Sequence, residues 1–271
     1  MKHVLLPLPL LFLASMPAAA QDDIGRFYDK LQPARGVYTL RQRGSADSNG
    51  AVAISGRMVI EARLTCEDFA TTTTMEIRAT SGGNTATVKL EQQATETRDG
   101  KIYRFSAVTY ERGRELERRE GQAVLQSRDG PGEAKIKGVA GEDLRLEAGT
   151  VLPGTHMLRV MQAAAAGKKE IENRVFHGLE QMRITNTRAV ILGAGRSGKE
   201  KGLGEFADKP GWTIREEIKP AGGMPGGVAQ TSEAFVTEDF VTTAISISAQ
   251  GLELQGTALS IEKLPKPDCK K

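Results

Sequence analysis

The chain has 271 residues, with 37 Lys and Arg against 34 Asp and Glu, a formal net charge of +3, and aromatics at 5% with Trp212 as the one tryptophan. Charges this balanced, with both signs mixed along the chain, exclude the basic field that a nucleic-acid binder needs. So few aromatics leave Val, Ile, Leu, Ala and Thr to build the core.

At the start, Met1, Lys2 and His3 precede an apolar run from Val4 to Met16, followed by Pro17-Ala18-Ala19-Ala20 and then Gln21, Asp22 and Asp23. This pattern predicts a secretory signal peptide over residues 1–20, cut after Ala20. The run is too short to span a bilayer and is interrupted by Pro7 and Pro9, so a retained anchor is not expected. No cysteine stands near the cut to carry a lipid, and residues 21–271 are expected to be soluble and exported. All-β folds of this length commonly form one domain, which is the organisation expected.

The stretch from Asp23 to Leu31, with Ile24, Phe27, Tyr28 and Leu31 on one side, predicts a short helix. Period-two alternation then takes over. Tyr38 and Leu40 form one stripe, and Met58, Ile60, Ala62 and Leu64 form a second with Arg57, Glu61 and Arg63 opposite. That is strand spacing and not helical spacing. Met75 to Ala79 and Ala86 to Leu90 continue it, and Asp99-Gly100 between Thr97 and Ile102 predicts a two-residue type I′ hairpin turn. Tyr103, Phe105 and Ala107 resume one face, and Gly113 predicts another hairpin. Further strands are expected at 144–147, 174–176, 183–192, 213–218, 240–249 and 252–261. A dozen or more short strands predict a mainly β fold, a single curved antiparallel sheet or open barrel.

One helix breaks the pattern. After Pro153-Gly154, Thr155 is placed to cap a run from His156 to Ala166, and Gly167 sits where a left-handed C-terminal cap belongs. Leu158, Met161, Ala164 and Ala165 share a face, so this helix is expected to cover an opening or an apolar face of the sheet.

The two cysteines, Cys66 and Cys269, lie far apart in an exported chain, where oxidants keep thiols paired. A bridge between them would be worth roughly 5 kcal/mol in the chain-entropy account, an upper figure. The alternative is two unrelated buried thiols.

The loudest motif misleads. Ala189-Val190-Ile191-Leu192 leads into Gly193-Ala194-Gly195-Arg196-Ser197-Gly198-Lys199, which has dinucleotide-fingerprint spacing and nearly that of a P-loop. Both need a helix to begin there. Instead Glu200-Lys201-Gly202-Leu203-Gly204 follows, Glu200 replaces the magnesium-binding hydroxyl, and no βαβ alternation surrounds the segment. A glycine-rich hairpin loop is expected from Gly193 to Gly204, and no nucleotide. Residues 221–227 read as another loop. His156 and His177 have no clustered third ligand and read as cap or surface residues, so neither metal nor cofactor is expected. The acid pairs Asp22-Asp23, Glu67-Asp68 and Glu238-Asp239 sit at turns as solvated carboxylates, and the charged run from Tyr110 to Glu120 reads as a solvated hairpin, with a docking ridge as the sharper alternative. No nucleophile stands beside a base, so the chain does not read as an enzyme.

Taken together, Leu31-Gln32-Pro33-Ala34-Arg35-Gly36-Val37-Tyr38, Cys66-Glu67-Asp68-Phe69, Asp99-Gly100-Lys101-Ile102-Tyr103, Leu152-Pro153-Gly154-Thr155-His156 and Leu264-Pro265-Lys266-Pro267-Asp268-Cys269 resemble the EipB family of periplasmic envelope-integrity proteins. The resemblance implies a β-spiral around an open lumen, akin to the lipoprotein carriers LolA and LolB, with Cys66 and Cys269 bridged. It also implies a Gram-negative periplasmic home, a role in keeping the envelope intact, a tetratricopeptide-repeat protein as partner, and no catalytic residue. The glycine-rich segment from Gly193 and His177, where family members tend to carry an acid, depart from the family pattern. A non-enzymatic binding or scaffold module is therefore the leading expectation. A periplasmic carrier of lipid or lipoprotein acyl chains, sheltered in the lumen, is the second.

Overall fold

The computed structural model describes residues 28–43, 52–138, 142–178, 184–221, 230–249 and 251–269. The alternating segments fold as β1 Ala34–Gln42, β2 Ala53–Leu64, β3 Asp68–Ser81, β4 Asn84–Thr97, β5 Ile102–Glu111, β6 Arg114–Leu125, β7 Gly132–Gly138 and β8 Glu142–Leu146. They continue as β9 Thr150–Val151, β10 Glu170–Phe176, β11 Ile184–Arg196, β12 Pro210–Pro220, β13 Gln230–Thr237, β14 Thr242–Ala249 and β15 Leu252–Lys263, with the helix α1 at Pro153–Ala165 between β9 and β10. All 15 strands join one sheet, ordered β8-β7-β6-β5-β4-β3-β2-β1-β15-β14-β13-β12-β11-β10-β9. Each strand therefore neighbours its successor in sequence, except at the seam where β1 meets β15 and at the gap between β8 and β9. The result is the expected curved, barrel-shaped sheet, nearly closed on itself.

The seam is strongly specified. Ala34 pairs with Lys263 and Gln42 with Leu254, and a bulge at Val37/Tyr38 bends the strand. Gln32 Nε2 donates to the Leu264 carbonyl at 2.9 Å, and Leu264 N to the Pro33 carbonyl at 2.8 Å. Beyond them, Cys269 reaches past β1 to the β2–β3 turn and bonds to Cys66, with the two Cα atoms 5.5 Å apart across 203 positions.

Local chemistry corrects several sequence expectations. The Asp99-Gly100 turn is not type I′: β4 ends at Thr97, Gly100 N bonds the Thr97 carbonyl at 2.7 Å, and Gly100 alone between the strands takes positive φ, 69°. Side chains explain this, because Asp99 Oδ1 accepts from Lys101 N and Thr97 Oγ1 accepts from Ile102 N, which favours a longer turn. The I′ geometry falls at Arg112-Gly113, φ 50° and 79°, directly between the paired Glu111 and Arg114. The glycine-rich segment is not all loop. β11 runs on through Arg196, with Ala194 opposite Trp212 and Gly195 opposite Gly211. Two kinked 3-10 turns at Lys201–Phe206 then bury Leu203 and Phe206 against Tyr38, Met58, Ala258 and Ile261. Sequence reading also passes over β7, β9 and β13, which are short or rich in polar residues. The 1–20 segment, Asp22-Asp23 and the 222–227 stretch lie outside the described residues. Of the expected N-terminal helix, one turn at 28–30 is described.

The helix α1 packs on an apolar face of the sheet, and the face is the inner one. Leu158, Val160 and Met161 pack with Phe69 of β3, Ala189 of β11, Ile214 of β12 and Phe240, so the helix sits inside the lumen and touches opposite walls of the sheet. Val160 and Ala163 are buried while Ala165 is exposed, because walls surround the helix on more than the one face predicted. A second cluster, Tyr103, Phe105 and Phe176 with Ala123 and Leu146, fills the region under β5–β8. The Phe105 and Phe176 rings meet edge to face, 6.0 Å apart.

Candidate functional site

The lumen is where inward-pointing side chains converge, and one group of its polar residues surrounds α1. The helix has no side-chain cap of its own; Thr155 stands inside the first turn instead of at the N-cap, which is Leu152. The cap comes from β4. Glu96, on the inward row with Ala94, accepts from Gly154 N at 2.6 Å through Oε2, and from Thr155 N at 2.8 Å and Thr155 Oγ1 at 2.7 Å through Oε1. A carboxylate at a helix N-terminus satisfies orphan N–H groups and meets the favourable end of the helix dipole. Burial pushes the Glu96 carboxyl up to about 7, against the lowering pull of those three donors and of Arg128. Gly154 is required here, since a Cβ would lie 2.8 Å from Glu96 Oε2.

One turn further, His156 is buried, not a surface or cap residue as its sequence position suggests. Asn173 Nδ2 lies 3.0 Å from its Nδ1, and Nε2 lies 3.0 Å from Glu216 Oε1, so the imidazole carries its proton on Nε2 and donates to the carboxylate. Arg159 Nη1 reaches Asn173 Oδ1 at 3.3 Å and its Nη2 pairs with Asp129, which carries the chain of contacts out to the β6–β7 turn. Burial opposes the Glu216 carboxylate, but the hydrogen bond from His156 holds it below the usual carboxylate range. His177 is half-buried as a residue, yet its Nε2 is enclosed without a hydrogen-bond partner, and burial together with His156 lowers its imidazole to about 4. This network fixes α1 between β4, β10 and β12. No group of three or more His, Cys, Asp or Glu among the described residues could hold a metal ion.

Sequence reading identifies Cys66 and Cys269, which are bonded, and misses Glu96, Asn173 and Glu216. A signal was present. Glu96 follows Ala94, and Glu216 follows Trp212 and Ile214, on rows whose other members face the core, and a carboxylate in such a slot must find a partner.

Free space is left at the mouth where α1 ends. A cleft of about 540 Å³ has Met161, Ala165, Trp212 and Phe240 for its apolar wall and Lys30, Lys209, Glu238 and Asp239 at its rim. Outside the barrel, a cleft of about 700 Å³ crosses β1–β3 and holds Arg35, Arg41, Arg57 and Arg78. Arg35 pairs with Glu61 and Arg78 with Glu76, while among the described residues Arg41 and Arg57 have no ion pair.

Comparison with known proteins matches residues 28–215 to a family model described as EipB-like. The cell envelope integrity protein EipB of Brucella abortus (strain 2308) is 26% identical over 205 residues, 72% of each chain. The crystal structure of a β-barrel-like protein of a domain of unknown function, also from Brucella abortus, superposes with a TM-score of 0.76 at 20% identity, covering 87% of this chain and 99% of that one. The second likeness establishes the shared fold.

Proposed function

The chain belongs to the EipB-like family, and we propose that it is an exported, non-enzymatic periplasmic protein that supports cell-envelope integrity as a binding or scaffold module. The observation that carries this reading is the occupied lumen. With α1 clamped inside by Glu96 and by the His156–Glu216 bond, and the tail bonded to Cys66, the barrel is a stiff body better suited to presenting its outer faces than to emptying and refilling. Glu96, Thr155, His156, Asn173 and Glu216 find hydrogen bonds within the network that holds α1, which is the pattern of a structural network. The partner we propose, a periplasmic tetratricopeptide-repeat protein, would dock on an outer face. The β1–β3 arginines are tested first, because four of them line one cleft and, among the described residues, Arg41 and Arg57 make no ion pair. Deleting the gene and challenging cells with detergent or a cell-wall antibiotic tests the envelope role; unaltered sensitivity would count against it. Arg41→Glu with Arg57→Glu should weaken capture of the repeat protein if that face is used.

A second reading is favoured by the cleft beside Trp212: binding of an amphiphile in what is left of the lumen. Its volume falls within the range of small-ligand sites, roughly 300–1,000 Å³. Native mass spectrometry with lipid extraction separates the two readings by whether a stoichiometric lipid accompanies the protein.

A further inference from the structure

We propose that the cleft beside Trp212 binds a single-chain zwitterionic amphiphile, its acyl chain along Met161, Ala165, Trp212 and Phe240 and its head group between Lys209 and Glu238. This inference rests on the second reading above and assigns it a place and a ligand class.

Three observations converge. The apolar wall is short and has no continuation, because below Met161 the lumen is closed by the packing of Leu158, Ile214 and Phe69. One chain has room there, and two chains or a bundle of acyl tails do not. Phe240 is held in the left-handed region at φ 70°, which is unfavourable for an aromatic residue. The surrounding turn over-determines it: Phe240 N bonds the Thr237 carbonyl at 2.9 Å, Val241 N bonds Thr237 Oγ1 at 3.0 Å, and Thr237 Oγ1 bonds Asp239 Oδ1 at 2.5 Å. Strain maintained this way is common where a side chain must be presented to a ligand. Here it places Phe240 in the cleft wall directly after Glu238 and Asp239 of the rim.

The rim sets the head group. Lys209 and Glu238 are both exposed, and Glu238 N donates at 3.0 Å to the carbonyl of Pro210, the residue after Lys209. Neither side chain makes an ion pair among the described residues. An anionic head would meet Lys209 but also Glu238 and Asp239, and a cationic head would meet the reverse conflict with Lys30 and Lys209. A head carrying an ammonium and a phosphate satisfies both signs at once.

Because Trp212 is the one tryptophan of the chain, its emission reports on this cleft directly. The oxidised mature protein is titrated, below micelle concentrations, with dodecylphosphocholine, dodecyl sulfate and dodecyltrimethylammonium, with native mass spectra taken in parallel. A saturable blue shift is expected with the zwitterion, about tenfold tighter than with either singly charged head. Ala165→Phe, at an exposed helix position, should fill the cleft and abolish the response with an unchanged circular dichroism spectrum. Lys209→Glu should shift preference toward the cation and Glu238→Lys toward the anion. Equal affinity for all three heads overturns the head-group assignment. If Ala165→Phe removes the fluorescence response while mass spectra still show one bound amphiphile, this site is wrong and the lumen reading survives. If no amphiphile is retained at all, both fall. A response that appears only in a chain beginning at Tyr28 would identify the N-terminal segment as the occupant and also overturn the proposal.

Discussion

Glu96 yields the sharpest test of how the lumen is built. Its carboxyl rises from 4.5 to about 7 on folding, so between those values the folded state holds a proton that the unfolded state has released. Stability from this group is therefore full below pH 4.5 and is lost as pH rises to 7. At roughly 1.4 kcal/mol per pKa unit the swing is about 3 kcal/mol. His177 acts in the opposite sense. Its imidazole falls from 6.5 to about 4, so the folded state lacks a proton, and stability is lost as pH falls from 6.5 toward 4, by about the same amount. The two windows nearly coincide, and together they leave the wild-type curve flatter than either group alone would. Glu96→Gln keeps the shape and one acceptor but cannot titrate. Urea melts of both proteins between pH 4 and 8 should show the wild-type advantage over Glu96→Gln shrinking by about 3 kcal/mol as pH rises from 4.5 to 7. The variant alone should gain stability with rising pH, as His177 dictates. A difference between the two proteins that does not change with pH would refute the reasoning.

Other expectations follow from single contacts. Cys269→Ser should lower the melting temperature without unfolding the barrel, with a ceiling of about 5 kcal/mol for the 203-position closure, since the β1–β15 ladder already holds the tail; calorimetry with and without reductant checks this, and coincident melts would sink it. Gly154→Ala would stabilise an ordinary helix by up to about 1 kcal/mol, but here the added methyl meets Glu96 and should instead destabilise by on the order of 1–3 kcal/mol in denaturant melts. Phe176→Ala, at a fully buried ring packed against Tyr103 and Phe105, should cost about 3–5 kcal/mol in the same assay. A smaller loss would mean that the region under β5–β8 collapses to fill the space.

The barrel was legible because a strand with one buried face writes its register in period two. Met58, Ile60 and Ala62 point inward in the fold as in the pattern, and so do Tyr38 and Leu40. The cysteine pair was legible because the expected export signal argues for it independently of shape. The position of α1 was not, since an amphipathic stripe reports that a face is covered without reporting by what. The buried walls on its other sides come from β11 and from β3, the latter far away in sequence. Glycine at 193 and 195 suggested a loop, but the partner strand around Trp212 supplies the hydrogen bonds that local composition does not. The polar network was half visible, in carboxylates at inward positions whose partners only tertiary structure could name.

The strand order also bears on how the molecule is made. Every pairing but one joins near neighbours in the chain, while β1 must wait for β15, the last of the described strands to be synthesised. Until then the backbone edge of β1 stands open to any other extended polypeptide, the circumstance in which exported β proteins aggregate or swap segments. Oxidation of the two thiols after closure would then act as a latch on the slowest step of assembly, and a reducing environment should show first as poor yield and entangled oligomers from nascent chains, before any loss in protein that has already matured.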